Sequence, residues 1–264
     1  MSNRSREWDS AAYNRISGPQ FSWGKKVVDR VSARGDELVL DAGCGTGKLT
    51  AELLQKLPRG HVVAVDLSEN MLRAAREQLK PRFGEQIALV AADLQDLPFN
   101  QCFDGVFSTA AFHWVPDHDR LFENLYESLK PGGWLIAQCG GGPNLSRLLE
   151  RVAVLSQTSP FAPYLGDYKH SWVYSDAETA AQQLRRAGFV NVNTGLEAAP
   201  THFEDAQGYC EFVSKVILHR HLERIPDSKL QSQFTEELSA QAAKDDPPFE
   251  LDYWRLNLGA RKPA

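Results

Sequence analysis

Cysteine is scarce in this chain: Cys44, Cys102, Cys139 and Cys210 are the only four in 264 residues, widely spaced and with no CxxC pair. In a chain of this length such usage fits reduced thiols in a cytoplasmic protein and speaks against a disulfide scaffold or a zinc ribbon. No apolar run reaches the roughly 18 residues needed to span a bilayer. The opening MSNRSREWDSAAYNR lacks the apolar core of a secretory signal. Positive charge is not in excess either, since 29 Lys and Arg stand against 34 Asp and Glu, a net −5. Bulk charge therefore gives no grip on nucleic acid or on a membrane surface, and neither is expected as a partner. Internal repeats and low-complexity tracts are absent as well. What remains is a chain that is 42% hydrophobic, long enough to bury its own core without a covalent or metal staple.

The first 140 residues alternate strand-like and helix-like patterns. ELVLD (37–41) and HVVAVD (61–66) are short apolar runs that each end in an acid, and IALVA (87–91) is a third run followed by Asp93. FDGVFS (103–108) and WLIAQC (134–139) read as further strands. Between them, Leu49, Leu53, Leu54 and Leu57 recur at helical spacing, as do Met71, Leu72, Ala75 and Leu79 behind the N-cap Ser68. A third amphipathic helix is expected from Asp117 to Lys130, stopped by Pro131-Gly132-Gly133. Continuous apolar strands alternating with helices predict an α/β fold with a mostly parallel, doubly wound sheet covered on both faces. Beyond residue 140 the pattern loosens. Residues 156–174 are broken by Pro160, Pro163 and Gly166 yet carry Phe161, Tyr164, Tyr168 and Trp172, which suits a lid or pocket wall. Helices are expected over 145–155, 176–187, 206–221 and 227–244. FELDYWRLNLGA (249–260) alternates with period two, which predicts a final antiparallel strand at a sheet edge. His219-Arg220-His221 reads as a polar helix face rather than a metal pair, and no metal site is expected.

Asp41-Ala42-Gly43-Cys44-Gly45-Thr46-Gly47 sits where the first strand passes into a helix. Glycines there permit positive φ and close approach of a ligand to the backbone. A second strand ends in Asp66, 25 residues after Asp41, where an acid reads a ribose hydroxyl pair in dinucleotide-type folds. The spacing is GxGxG rather than GxGxxG, and Asp41 precedes it by two residues. That arrangement suits a cationic ligand group better than a pyrophosphate, and the GxxxxGK[ST] phosphate loop is also missing.

In these features the sequence resembles the class I S-adenosylmethionine-dependent methyltransferases. LDAGCGTG, VVAVDLS, AADLQDLPF and FDGVFSTAAFHWV match four of their motifs in order, and PGGWLIAQ matches their fifth-strand segment, over roughly residues 36–140. The resemblance implies a Rossmann-like seven-stranded sheet with an antiparallel last strand. It divides the chain into N-terminal cofactor-covering helices (1–35), the S-adenosylmethionine-binding core (36–140), and lid insertions with C-terminal strands completing the same domain (141–264). It implies S-adenosyl-L-methionine as cofactor. Asp41, Gly43, Cys44, Gly45 and Gly47 would lie against its methionine part, and Asp66 would hold the ribose hydroxyls. Leu67 and Met71 would pack on the adenine, with Asp93 and the Leu94 amide at its edge. Ser108 would stand beside the methionine end, and His113 and Trp114 at the mouth where substrate enters. A narrower resemblance, carried by Trp8-Asp9-Ser10-x-x-Tyr13, AFHWVPDH and YWRLNLGARKP, points to the trans-aconitate methyltransferases and related small-molecule enzymes. In that group an N-terminal segment folds over the cofactor. Tyr13 would then contact the cofactor carboxylate and Trp8 would wall the site. The group often has Gln where this chain has His113.

The implied activity is methylation of a small molecule at a carboxylate or hydroxyl. A carboxylate needs donors to hold it, for which Arg15, Arg147, Arg151, Tyr164, Tyr168, Lys169 and Arg220 are candidates. A phenol, amine or enolate would need a base, for which His113 is the candidate catalytic residue. STAAFH after the fourth strand is not the Asn-Pro-Pro-Tyr turn used on base amino groups, and no carboxylate cluster suits a metal-dependent catechol reaction. Two other readings stay open: a cofactor-binding interaction module without turnover, and an NAD(P)-dependent oxidoreductase, against which the glycine spacing and Asp93 count.

Overall fold

The computed structural model describes residues 18–264, so Trp8, Tyr13 and Arg15 lie outside the described residues. Helix α1 (Gly18–Asp29) precedes β1 (Leu38–Ala42), α2 (Lys48–Gln55), β2 (His61–Asp66), α3 (Glu69–Phe83), β3 (Ile87–Ala91), β4 (Phe103–Thr109), α4 (His118–Ser128) and β5 (Leu129–Gly140). The second half adds α5 (Ser146–Ser156), α6 (Ala162–Leu165), α7 (Ala177–Arg186), β6 (Val190–Ala198), β7 (Thr201–His202), α8 (Ala206–Phe212), α9 (His219–Leu222), α10 (Ser228–Ala242), β8 (Glu250–Leu251) and β9 (Trp254–Arg261). Seven strands form one sheet in the order β3-β2-β1-β4-β5-β9-β6. Strand β9 runs antiparallel to both neighbours and the other pairings are parallel.

Side-chain alternation along the strands decides which helices cover which face. In β1, Val39 joins a core made with Val27 and Val28 of α1, Leu53 and Leu54 of α2, and Leu79 of α3. Its neighbour Leu40 points the other way, to a core with Leu121, Phe122 and Leu125 of α4, Leu184 of α7, and Leu256 and Leu258 of β9. Helix starts are fixed by short polar side chains, as N-cap chemistry requires. Ser68 accepts from the Met71 amide at 3.3 Å, Asp117 from Arg120 at 3.0 Å and Asp176 from Thr179 at 2.7 Å. A third core belongs to the lid. Leu148, Val152 and Leu155 of α5 meet Tyr209 and Phe212 of α8 and Phe234 and Leu238 of α10, and Tyr253 closes one side.

Four expectations are corrected. The last strand is not at the edge. β9 is inserted between β5 and β6, and β6 is the outermost strand. The polar residues of β9 are covered rather than solvated: Asn257 Oδ1 accepts from Arg30 at 2.9 Å and from Gln138 at 2.9 Å, and Arg255 is only 4% exposed. The run 249–260 is also not one strand. It breaks at Asp252, whose carboxylate accepts from the Ser146 hydroxyl at 2.7 Å and the Arg147 amide at 3.1 Å. Helix α5 has no capping side chain of its own at Leu145, and the bend in the C-terminal strand supplies it from Asp252. The helix expected through 206–221 is interrupted by a π-turn over Val213–Ile217. The helix expected to reach Lys130 ends at Ser128, because Leu129 already pairs with Phe103 in the sheet.

Candidate functional site

A cavity of about 350 Å³ opens at the C-terminal ends of the parallel strands, the place where open α/β sheets bind ligands. One half is framed by β1, β2 and β3. The Gly43 and Cys44 amides both donate to the Val65 carbonyl at 2.9 Å, which ties the glycine turn to β2. Asp66 completes the tie, accepting from the Gly45 amide at 2.8 Å and the Ser68 amide at 2.9 Å. Gly45 has φ +53°, and a Cβ there would meet nothing within 4 Å, so the turn presents bare backbone to the cavity. A Cβ at Gly43, by contrast, would run into Ala111.

Asp41 is 2% exposed and accepts from the Thr50 hydroxyl at 2.6 Å. Burial pushes its carboxyl up to about 7; the Thr50 bond opposes that rise and the Asp66 charge adds to it. Burial first, then Asp66 and Asp41, raises the Cys44 thiol well above its usual value, so it is no nucleophile. Asp93 Oδ1 accepts from the Gln95 amide at 2.9 Å, which holds the 93–96 turn at the rim. Leu67, Met71 and Leu94 supply apolar wall between the acids.

The other half is made of donors and aromatic rings. Past Thr109 the chain turns at Ala110, φ +53°, into the short 3-10 turn Phe112–Trp114. The turn is pinned twice. His118 Nε2 lies 3.0 Å from the Phe112 carbonyl, so it donates there, and Nδ1 accepts from Ser175 Oγ at 3.1 Å. The Val173 amide donates to the His113 carbonyl at 2.9 Å. The Gly140 amide in turn donates to His113 Nδ1 at 3.3 Å, which places the ring proton of a neutral His113 on Nε2. Burial, with the positive charge of Arg255 beside it, holds His113 well below its ordinary pKa.

Tyr174 is wired in the same sense. Asn144 Oδ1 accepts from the Trp254 amide at 2.9 Å, and its amide group bonds the Tyr174 hydroxyl. Burial raises the Tyr174 phenol well above 10. Arg255 enters from β9, paired in register with Gly140, its guanidinium 4.8 Å over the Trp23 ring. Trp172, edge-on to Trp114 at 5.5 Å, and Val216, Ile217 and Tyr253 close the wall.

The structure brings Asp41, Gly43, Cys44, Gly45, Asp66, Leu67, Met71, Asp93, Leu94, His113 and Trp114 to this one cavity. Gly47 and Ser108 are not on its wall. A Cβ at Gly47 would press on Leu79 and Ala75, so that glycine serves the packing of α2 against α3. Ser108 is 1% exposed and still inside β4, where its Oγ donates to the Ala42 carbonyl at 2.6 Å. The chain reaches the cavity only at Thr109–Ala111. None of the candidate anion-holding residues that are described lines the cavity. Arg147 and Arg151 are engaged in the lid by Glu250 and Asp245, at 3.0 Å and 2.9 Å. His219 and His221 are no polar face: they pack on Trp114 and on Tyr168 and Trp172, and burial lowers both to about 4. Among the described residues no group of three or more His, Cys, Asp or Glu is placed to hold a metal. The sequence reading had Trp172 in a lid or pocket wall but missed Asn144, Tyr174, Tyr253 and Arg255. Alternation along the last strand was the available signal for Arg255, since it falls on the face opposite Leu256 and Leu258.

Residues 39–133 match the methyltransferase domain family. The chain is 29% identical over 229 residues to trans-aconitate 2-methyltransferase of Deinococcus radiodurans, covering 83% of each chain. It is 29% identical over 276 residues to the enzyme of the same name from Methylobacterium nodulans, covering 97% of this chain and 98% of that one. Its fold is similar to phosphoethanolamine N-methyltransferase 2 of Haemonchus contortus, solved with S-adenosyl-L-methionine. There the TM-score is 0.64 at 20% identity, over 97% of this chain and 57% of that one. The cavity suits that cofactor: bare backbone at Gly45, three strand-end carboxylates, and a buried Asp41 whose ionised form is favoured by a cation beside it. Together the domain match and these relatives support a class I S-adenosylmethionine-dependent methyltransferase.

Proposed function

We propose that this methyltransferase acts on a carboxylate oxygen of a small organic acid. The observation that carries the reading is the protonation state built into the acceptor half of the cavity. His113 Nδ1 is occupied by the Gly140 amide, so the ring offers a proton rather than a lone pair. The three carboxylates on the cavity wall, Asp41, Asp66 and Asp93, all stand at the ends of β1, β2 and β3. A phenol or ammonium acceptor would need a base, and the described residues of that half supply none. A carboxylate needs only to be held and aimed. The names of the relatives, trans-aconitate 2-methyltransferase, support the same class.

When bound, S-adenosylmethionine supplies a methyl on a cationic sulfur: the acceptor oxygen forms the O–CH3 bond as the S–CH3 bond breaks, and the electron pair passes to sulfur. No proton has to move. On this reading Asp66 holds the ribose hydroxyls and Asp93 the adenine amino group, beside the Leu94 amide. Leu67 and Met71 pack on the adenine ring. Asp41 faces the methionine ammonium, and Trp114 and Trp172 exclude water. Methyl transfer from labelled cofactor to trans-aconitate and related acids, with phenol and amine isosteres in parallel, tests the reading. Esters from the acids alone support it; labelled phenol ether or methylamine without ester refutes it.

A further inference from the structure

Residues 168–176 have no regular secondary structure, yet they carry Trp172 and Tyr174 to the cavity wall. Such a segment keeps its place only where a rigid element holds it. His118 supplies that hold. It is the first residue of α4, whose Leu121, Phe122 and Leu125 are sunk in the core. Its ring is 4% exposed and packs on Phe122 with centroids 5.9 Å apart. The two ring nitrogens serve two different loops. Nε2 donates to the Phe112 carbonyl at 3.0 Å, at the head of the turn that carries His113 and Trp114. Nδ1 accepts from the Ser175 hydroxyl at 3.1 Å, at the end of the lid loop.

A neutral imidazole makes both bonds because it has one donor and one acceptor on separate nitrogens. Burial lowers the His118 pKa, against the Phe112 bond and the charges of Asp117 and Asp119, and so favours that neutral form. Both nitrogens are spent on the frame, so any effect of the ring on methyl transfer passes through what it holds. Two backbone bonds complete the joint. The Val173 amide donates to the His113 carbonyl at 2.9 Å, and the Gly142 amide donates to the Ser175 carbonyl at 2.9 Å. Turn, lid loop and core helix thus meet at one side chain, next to the four rings that wall this half of the cavity.

We propose that His118 is a positioning residue for the acceptor. By bridging Phe112 and Ser175 it latches the lid loop onto the 112–114 turn, and the placement of Trp172 and Tyr174 against His113 and Trp114 depends on that latch. The cofactor half, framed by β1, β2 and β3, does not depend on it. The inference rests on the reading above only in placing the acceptor in this half, and holds whichever acceptor atom is methylated.

Four variants separate the two bonds. His118→Phe fills the space and loses both. His118→Gln keeps a donor near Nε2 and loses the acceptor for Ser175. His118→Asn keeps an acceptor near Nδ1 and loses the donor to Phe112. Ser175→Ala removes the hydroxyl alone. Three quantities are measured: hydrogen exchange over residues 168–176 in the S-adenosylhomocysteine complex, S-adenosylhomocysteine affinity by calorimetry, and steady-state methyl transfer to trans-aconitate. Exchange should be about tenfold faster in His118→Phe, His118→Gln and Ser175→Ala. KM for trans-aconitate should rise about tenfold in the same three, with kcat and S-adenosylhomocysteine affinity each within about threefold of wild type. His118→Asn should keep slow exchange and lie between wild type and His118→Phe in KM. Adding Ser175→Ala to His118→Gln should cost nothing further, because both remove one bond. If His118→Phe does not fold, His118→Gln and Ser175→Ala carry the test. Exchange that ignores the substitutions overturns the proposal. So does faster exchange with an unchanged KM, which would make the bridge a structural bond and no more, and so does S-adenosylhomocysteine affinity lost in step with KM. A wild type that methylates no trans-aconitate refutes the carboxylate reading alone. The KM comparison then moves to whichever phenol or amine isostere accepts methyl, and exchange, which needs no acceptor, decides the latch in either case.

Discussion

Asp41, Asp66 and Asp93 stand at the ends of three adjacent parallel strands and fall within residues 41–93, whereas His113, Tyr174 and Arg255 come from a 3-10 turn, a lid loop and the penultimate strand of the sheet. The first half of the cavity is acidic and built from local chain. The second is donor-rich and assembled from segments as far apart as residues 113 and 255. On the function proposed above, the contrast follows from what each half would bind. A cofactor with a ribose, an adenine and a cationic end needs acceptors at fixed spacing, and successive β-α units supply that spacing. An acceptor molecule with negative charge needs donors, and the lid and last strands bring them to the same opening.

The largest expected effect lies in the acidic half. Gly45→Val places a branched side chain in the open space beside the turn, at φ +53°. It should abolish S-adenosylhomocysteine binding, with calorimetry showing more than a hundredfold loss while circular dichroism shows a folded chain. Retained binding would place the cofactor elsewhere. Next comes Asp66→Ala, which removes the acceptor of the Gly45 and Ser68 amides as well as the proposed ribose ligand. Its expected cost is about 1.5–3 kcal/mol of cofactor affinity, the range for hydrogen bonds to a charged group. An unchanged dissociation constant would remove Asp66 from the site.

The charge of Asp41 gives a pH test. Its carboxyl is pushed up to about 7 in the unliganded protein, whereas an unfolded chain has it near 3.8. The folded protein therefore holds a proton that the unfolded one releases, and this group's contribution to stability is lost as pH rises from about 4 through 7. Asp41→Asn should raise the melting temperature of the unliganded protein more at pH 8 than at pH 5. A cationic ligand favours the ionised form, so S-adenosylhomocysteine affinity of the wild type should fall as pH drops below 7, by at most about tenfold per pH unit. The Asn variant should bind weakly and with no such slope. A wild-type affinity flat from pH 5 to 8 would separate Asp41 from the ammonium.

How much of this was legible differs between the halves for the same reason. The strands, the glycine turn and the strand-end acids are local patterns: an apolar run, a Gly spacing, an acid at a fixed offset. Ser108 shows the limit even there. One residue decides between a side chain spent on the Ala42 carbonyl and a backbone that turns into the cavity, and only the αL turn at Ala110 reveals which. Alternation could place Arg255 on the polar face of its strand but not in the site, because its environment is tertiary. Its neighbours Trp23, Tyr174 and Gly140 are remote in sequence, and nothing near YWRLNLGA announces them. The edge expected for that strand failed likewise, since the Arg30 and Gln138 side chains that cover Asn257 lie more than a hundred residues away.

The smallest expected effect falls on His113. If it donates from Nε2 and takes no proton, His113→Gln, which keeps a donor of similar reach, should leave kcat/KM for an acid acceptor within about tenfold. The pH profile from 6 to 9 should show no inflection that disappears with the substitution. A loss beyond a thousandfold with a vanished inflection would make His113 a base and undo the contrast between the halves.

The most direct measurement is a crystal structure with S-adenosylhomocysteine and trans-aconitate bound together. The account predicts the cofactor product against Asp41, Gly45, Asp66 and Asp93, and the acid beyond it with carboxylate oxygens within hydrogen-bonding distance of His113 Nε2 or Tyr174. An acid lying among the strand-end carboxylates, or bound with its charged groups turned away from both donors, would contradict it.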